Sequence, residues 1–125
     1  MQVREICNSP VQTIGQEANL GTAAQAMRGH DISCLTVTDG GEVVGIITER
    51  DLVQAIADGF DLSRQYVASY MTSPVFGAPG DIDAAEAAGL MLQHNVRHLP
   101  VLEDGKIVGV VSTRDLLLLE AWPTA

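Results

Sequence analysis

The strongest constraint on the fold is an internal repeat. The octapeptide GIITERDL at residues 45–52 returns as GVVSTRDL at residues 109–116, 64 positions later. The same shift aligns residues 3–52 with residues 67–116 without a gap, and most aligned pairs are identical or chemically similar. A long period with only two copies predicts a pseudo-symmetric pair of units, because a solenoid needs at least three repeats.

Each copy has the same predicted order of elements. Asn19 and Asp83 are N-cap residue types, and apolar residues at helical spacing follow them. Two extended runs around a DGG or EDG turn then predict a hairpin, in which Gly45 and Gly109 indicate a bulge or a close backbone approach. A second helix begins at TERDL or STRDL, and the lead-ins SPVQTI and SPVFGA are each long enough to add a strand.

Composition narrows the classes of partner. Sixteen acidic and seven basic residues give a net charge of −9, which disfavours nucleic acid and anionic membrane surfaces. No apolar run reaches the ~18 residues that span a bilayer, and the start MQVREICNSP lacks signal-peptide features. We therefore expect a cytoplasmic protein with no nucleic-acid or membrane partner, in which Cys7 and Cys34 are reduced thiols.

The repeated segments resemble a known family. ISCLTVTDGGEVVGIITERDL and VRHLPVLEDGKIVGVVSTRDL, each preceded by an Ala-rich helix that ends in Met, resemble the CBS domain, and about residues 1–119 are similar to a tandem pair. The resemblance implies an α/β (α+β) fold of two β-α-β-β-α repeats packed with pseudo-twofold symmetry. We expect repeat 1 at residues 1–60, a linker at 61–66, repeat 2 at 67–120 and a tail at 121–125.

The resemblance also implies ligands and an assembly state. CBS pairs have two clefts between their repeats, usually form homodimers and commonly bind adenosine-containing molecules. AMP or ATP is the expected regulatory ligand here, and NAD or S-adenosylmethionine is an alternative.

Two interpretations of the repeated TxxD and SxxD spacing stay open. In the structural one, Thr48 and Ser112 cap a helix and Asp51 and Asp115 favour its positive end, which together stabilise it by about 1–2 kcal/mol. In the functional one, the carboxylate accepts the hydroxyls of a ribose, while the hydroxyl residue and free N–H groups face phosphate. The family resemblance implies the second role.

The second copy carries more phosphate chemistry than the first. Arg97 and His98 precede LPV, whereas Ser33 and Cys34 stand at the matching positions. Arginine presents a bidentate fork to phosphate, and a protonated histidine adds a donor. The alternative is that Arg97 pairs with a surface acid and His98 packs half-buried at a strand edge.

The resemblance places the base of the ligand against the lead-in segments SPVQTI and SPVFGA. Two interpretations of Arg50 and Arg114 stay open, since each can reach either a phosphate or a neighbouring acidic side chain. The favoured predicted site contains Val75, Phe76, Gly77, Ala78, Arg97, His98, Ser112, Arg114 and Asp115. The weaker predicted site contains Val11, Gln12, Thr13, Ile14, Ser33, Cys34, Thr48, Arg50 and Asp51.

Catalytic and metal-binding motifs are absent from the sequence. It has no GxSxG, HExxH, CxxC, P-loop or GxGxxG pattern, so we expect no enzyme activity. His94 and His98 are four residues apart, but the predicted helix-to-strand junction between them disfavours a shared metal ion.

Two function classes follow. In the first, the chain is a regulatory module that senses an adenosine-containing nucleotide in the cleft between the repeats and signals to an effector protein by conformational change. In the second, it is a constitutive dimerisation or adaptor module without a physiological nucleotide. Convergence of Arg97, His98, Ser112 and Asp115 would favour sensing, and an Arg97 directed to solvent would favour the adaptor.

Overall fold

The computed structural model describes residues 1–8 and 11–121, so residues 122–125 of the predicted tail lie outside it. It has the mixed α/β fold predicted, with two three-stranded sheets in the orders β1-β2-β3 and β4-β5-β6. The strands are β1 Thr13–Gly15, β2 Cys34–Asp39, β3 Glu42–Thr48, β4 Ala78–Pro79, β5 His98–Glu103 and β6 Lys106–Ser112. The helices are α1 Leu20–His30, α2 Glu49–Ala57, α3 Val67–Tyr70, α4 Ala84–His94 and α5 Thr113–Ala121, with 3-10 turns at Val3–Glu5 and Leu62–Arg64.

The chain forms two compact units. One, here called the first-sheet unit, contains residues 12–75, and the other, the second-sheet unit, contains residues 1–8, 11 and 76–121. The opening segment of each sequence repeat thus belongs to the unit built by the other repeat. Spatial units and sequence repeats are different divisions of the chain, and the repeat boundaries remain a prediction. The expected linker at residues 61–66 contains the 3-10 turn Leu62–Arg64, which contacts α1.

Local sequence explains the helices that cover each sheet. The side chain of Asn19 accepts a hydrogen bond from the Thr22 N–H at the start of α1, and Asp83 accepts one from Ala85 at the start of α4. Both predicted N-caps are confirmed. The apolar faces of these helices pack on the buried faces of the strands, where each fully buried aliphatic side chain contributes about 1.5–3 kcal/mol.

Each unit has its own core. In the first-sheet unit the core contains Leu20, Ala23, Met27, Leu35, Val37, Ile47, Leu52, Ala55 and Val67. In the second-sheet unit it contains Val3, Ala78, Ala87, Met91, Leu99, Val101 and Val111. Val3 and Val67 are fully buried, so the opening segment of each repeat is held by a core of the unit it joins.

The glycine in each hairpin admits that opening segment. Pairing in the second hairpin shifts from Val101 opposite Gly109 to Leu102 opposite Ile107, which is the predicted bulge, and the first hairpin shifts in the same way. A Cβ atom at Gly109 would lie 2.8 Å from the carbonyl oxygen of Asn8 and 2.5 Å from Cys7 Sγ. The predicted close backbone approach is therefore also confirmed.

Cys7 and Cys34 are free thiols, as predicted. Within the described residues, no helix is long and apolar enough to cross a membrane.

Replacing Gly109 by alanine is expected to lower the free energy of unfolding by about 1–3 kcal/mol, because the new methyl group displaces the segment at Cys7 and Asn8. Urea denaturation measures this change. Gly89→Ala is the control, because Gly89 lies within α4 and its Cβ would meet nothing within 4 Å. The free energy of unfolding of that variant should rise by roughly 0.5–1 kcal/mol. Equal changes in the two variants would contradict the close approach.

Candidate ligand-binding site

Ser112 and Asp115 join the end of β6 to the first turn of α5. The Ser112 N–H donates to Asp115 Oδ2 at 2.8 Å, and the Asp115 N–H donates to Ser112 Oγ at 3.2 Å. This reciprocal pair is a capping box, so the structural interpretation is confirmed. Within the described residues, however, Asp115 Oδ1 accepts no hydrogen bond and the Ser112 hydroxyl donates none. Capping therefore leaves one acceptor and one donor for a ligand.

Thr48 and Asp51 form the matching cap at α2. Here both the backbone N–H and the hydroxyl of Thr48 donate to Asp51 Oδ2, at 2.8 and 3.1 Å. Burial raises the pKa of Asp51, and the two hydrogen bonds from Thr48 and the charge of Arg50 act against that shift. Because the hydroxyl proton of Thr48 is used inside the cap, the first copy has less hydrogen-bonding capacity for a ligand.

The strand that precedes each hairpin turn begins beside the helix start. In the second-sheet unit, the Thr113 N–H donates to the Arg97 carbonyl oxygen at 2.9 Å, and His98 lies opposite Ser112. The backbones of Arg97, His98, Ser112 and Asp115 are thus brought to one end of the sheet. The first-sheet unit repeats the arrangement.

In that first-sheet unit, the Glu49 N–H donates to the Ser33 carbonyl oxygen at 3.0 Å, and Cys34 lies opposite Thr48. Burial, followed by the charge of Asp51, raises the pKa of the Cys34 thiol to about 12. The thiol therefore stays neutral and contributes no charge to this end of the sheet.

The arginine side chains of both copies are exposed. Arg97 is open to solvent, which is the outcome that favours the adaptor interpretation. Yet no described residue forms an ion pair with Arg97, Arg50 or Arg114, so the alternative interpretation, in which Arg97 pairs with a surface acid, is not found among the described residues. The guanidinium of Arg97 is a cation that no side chain of the described chain neutralises.

His98 is half-buried at the start of β5. Burial lowers the pKa of His98, the charge of Asp115 raises it, and that of Arg97 lowers it further. The neutral ring is thereby favoured in the folded protein. His98 is therefore less suited to act as a charged hydrogen-bond donor to phosphate than its sequence position indicates. No group of three or more His, Cys, Asp or Glu side chains in residues 1–8 and 11–119 is arranged to hold a metal ion.

The second-copy lead-in lies along β5. Ala78 is buried and pairs in parallel with Val101, and a Cβ at Gly77 would lie 2.9 Å from the Pro100 carbonyl oxygen. The ring of Phe76 packs on His94 with centroids 3.9 Å apart, and its predicted contact with a base stays a prediction.

The first-copy lead-in is held in the same way. The Thr36 N–H donates to the Gln12 carbonyl oxygen at 3.0 Å, and Thr13 and Ile14 pair in parallel with β2. Since β1 and β4 are edge strands, one side of each lead-in backbone is left unpaired by its sheet. Val11 and Val75 do not lie with the other residues of their predicted sites. Val11 belongs to the second-sheet unit and Val75 to the first-sheet unit.

Asn8 is a site residue that sequence reasoning missed. Its side-chain Nδ2 donates to Asp115 Oδ2 at 3.1 Å. The repeat alignment places Asn8 opposite Thr72 and gives no indication that the opening segment of one repeat reaches the cap of the other. The one available signal was the pair of hairpin glycines, which predicted a close approach without saying which segment approaches.

Comparison with known proteins identifies similar chains. The CBS domain family matches residues 3–58 and 67–121. An uncharacterized 17.7 kDa protein of Acidianus ambivalens is 38% identical over 117 residues, which cover 92% of this chain and 70% of that protein.

Two solved structures extend the comparison. The CBS-domain containing protein ATU1752 from Agrobacterium tumefaciens superposes with a TM-score of 0.88 at 31% identity, covering 96% of this chain and 99% of that one. The CBS domain pair of protein MJ0100, solved with 5′-methylthioadenosine and S-adenosyl-L-methionine, gives a TM-score of 0.87 at 28% identity and covers 97% of this chain and 96% of that one.

The lowered pKa of His98 predicts an acid-sensitive contribution to stability. As pH falls below the ordinary histidine pKa of about 6.5, the unfolded chain binds a proton that the folded chain resists, so stability is lost. His98→Gln should therefore show a smaller drop in melting temperature between pH 7.5 and 5.5 than the parent protein. His30→Gln, at an exposed position, should keep the parental drop. Equal drops in all three proteins would contradict the burial effect at His98.

Proposed function

This chain belongs to the CBS domain family, and on that basis we propose that it is a regulatory module that binds an adenosine-containing nucleotide, AMP or ATP first, at the N-terminus of α5. Binding changes the conformation of the module, and an effector protein in the cytoplasm reads the change. NAD and S-adenosylmethionine are the next candidate ligands. The module itself performs no reaction.

The observation that carries this proposal is the incompletely used cap at Ser112 and Asp115. A capping role alone requires only Asp115 Oδ2 and the Ser112 lone pair, yet Oδ1 and the Ser112 hydroxyl proton have no partner among the described residues. A carboxylate oxygen and a hydroxyl donor at a helix N-terminus match the hydroxyls of a ribose and an oxygen of a phosphate.

Charge favours an anionic ligand at this end of the sheet. Arg97 is unpaired within the described chain, its backbone is tied to the first turn of α5, and Arg114 stands on that turn. The positive end of the helix adds to their field. The net charge of −9 opposes long anionic polymers, so a small nucleotide is a better ligand than nucleic acid or a membrane surface.

Structural relatives support the adenosine class. The MJ0100 CBS pair, which covers nearly all of this chain, was solved with two molecules that contain adenosine. Ribose and adenine are common to those molecules and to AMP and ATP. The phosphates of AMP and ATP are the additional groups, and Arg97 is proposed to bind them.

A constitutive dimerisation or adaptor module is the second candidate function. In the second-sheet unit, α5 exposes Leu117 and Leu118, at 66% and 50% of their surface, and α4 exposes Leu92 at 84%. In the first-sheet unit, α2 exposes Val53 and Ile56. Apolar side chains of this size on helices are typical of association surfaces, and a second copy of this chain is the proposed occupant.

Thermal shift separates the two functions. AMP or ATP at about 100 times its dissociation constant should stabilise the protein by about 2.7 kcal/mol and raise its melting temperature by several degrees. Asp115→Asn should abolish the shift, because it replaces one of the two acceptor oxygens of the carboxylate by an NH2 group, which can only donate. Asp51→Asn is the matched control and should keep it. A panel of AMP, ATP, NAD and S-adenosylmethionine that gives no shift would favour the adaptor.

A further inference from the structure

Asn8 is attached to the strand that ends at Ser112. Its N–H donates to the Val110 carbonyl oxygen at 2.9 Å, and the Val110 N–H donates to the Asn8 carbonyl oxygen at 3.2 Å. The glycine at position 109 allows this approach, since a Cβ there would lie 2.8 Å from the Asn8 oxygen. The backbone of Asn8 is therefore fixed two residues before the end of β6.

From that position the Asn8 side chain reaches the capping carboxylate. Asn8 Nδ2 donates to Asp115 Oδ2 at 3.1 Å, and the Ser112 N–H donates to the same oxygen at 2.8 Å. Two N–H donors on one oxygen restrict rotation of the carboxylate group. Among the described residues they also leave Oδ1 as its only unbonded oxygen.

The first-sheet unit holds its carboxylate differently. Thr72, the repeat counterpart of Asn8, makes the same two backbone bonds, to Ile46, at 2.8 and 3.0 Å. Its side chain, however, makes no hydrogen bond to any described residue. The second donor to Asp51 Oδ2 is instead the Thr48 hydroxyl. Asn8 thus replaces an internal hydroxyl bond and leaves the hydroxyl proton of Ser112 unused.

We propose that Asn8 is a positioning residue that makes the Ser112–Asp115 site selective for a ribose over a 2′-deoxyribose. By holding Oδ2, Asn8 presents Oδ1 as a fixed acceptor for a ribose hydroxyl and keeps the Ser112 hydroxyl available as a donor. A site built to accept a hydroxyl proton discriminates against an analogue that lacks it. This inference rests on the proposed nucleotide binding and adds the residue that sets its sugar selectivity.

Isothermal titration calorimetry with AMP and 2′-deoxy-AMP tests the inference. The parent protein should bind AMP about 10-fold more tightly than 2′-deoxy-AMP, as expected for one hydrogen bond to a charged group. Asn8→Leu removes the donor, keeps a side chain of similar length and should reduce that ratio to about 2–3, because the carboxylate is no longer held. Thr72→Val is the matched control and should keep the parental ratio. An unchanged ratio in Asn8→Leu would overturn the role of Asn8 and leave nucleotide binding intact.

A second measurement does not depend on any nucleotide. Asn8→Asp places a second carboxylate at the distance of the present hydrogen bond, where like charges repel. Its melting temperature at pH 7 and low salt should be lower than that of Asn8→Leu, and about 0.5 M sodium chloride should narrow the gap. Equal melting temperatures would overturn the Asn8–Asp115 contact. If the gap is present but the parent protein binds none of AMP, ATP, NAD and S-adenosylmethionine, the contact is supported and nucleotide sensing is overturned.

Discussion

The candidate site depends on the close packing of the segment at Cys7 and Asn8 against Gly109. At Gly109 the absence of a side chain lets Asn8 pair with the edge strand β6, and at Gly45 it lets Thr72 pair with β3. Val3 and Val67, which precede these contacts in the same segments, belong to the two cores, so each segment contributes to the stability of its unit. Only in the second-sheet unit does the segment also deliver a side chain to the cap.

Duplication preserved the backbone of the two caps and let their side chains diverge. In both units a strand residue accepts a hydrogen bond from the first turn of the helix, and in both an aspartate accepts one from the N-cap backbone. What differs is the second donor to the aspartate, which is the Thr48 hydroxyl in one unit and the Asn8 amide in the other. Because of this one exchange, only the second cap keeps both a free acceptor oxygen and a free hydroxyl proton among the described residues.

Much of the fold could be predicted from the sequence, because its signals are local or repeated. The N-caps Asn19 and Asp83, the hairpin turns and the bulge beside each glycine each depend on a few neighbouring residues, and the internal repeat tests every assignment twice. Because the two ends of a hairpin must meet, the predicted hairpin is consistent with the observed position of His98 opposite Ser112.

The side-chain chemistry of the site was less predictable. That Phe76 packs on His94, and that burial favours the neutral form of His98, follow from tertiary packing that no local pattern records. Asn8 was missed for a related reason. It is 107 residues from Asp115 in the chain, and its own repeat places it in the other copy. The contact joins the opening segment of one repeat to the helix cap of the other, so the pattern of residues within either repeat does not indicate it.

The most direct test of the account is amide NMR of the protein titrated with AMP. If the ligand binds where one carboxylate oxygen and one hydroxyl proton are unused, the backbone amides of Ser112, Thr113 and Asp115 should shift together, with a single dissociation constant that also describes the Asn8 side-chain amide. Saturating AMP that moves only the amides of Thr48, Glu49 and Asp51, or none at either cap, would contradict it.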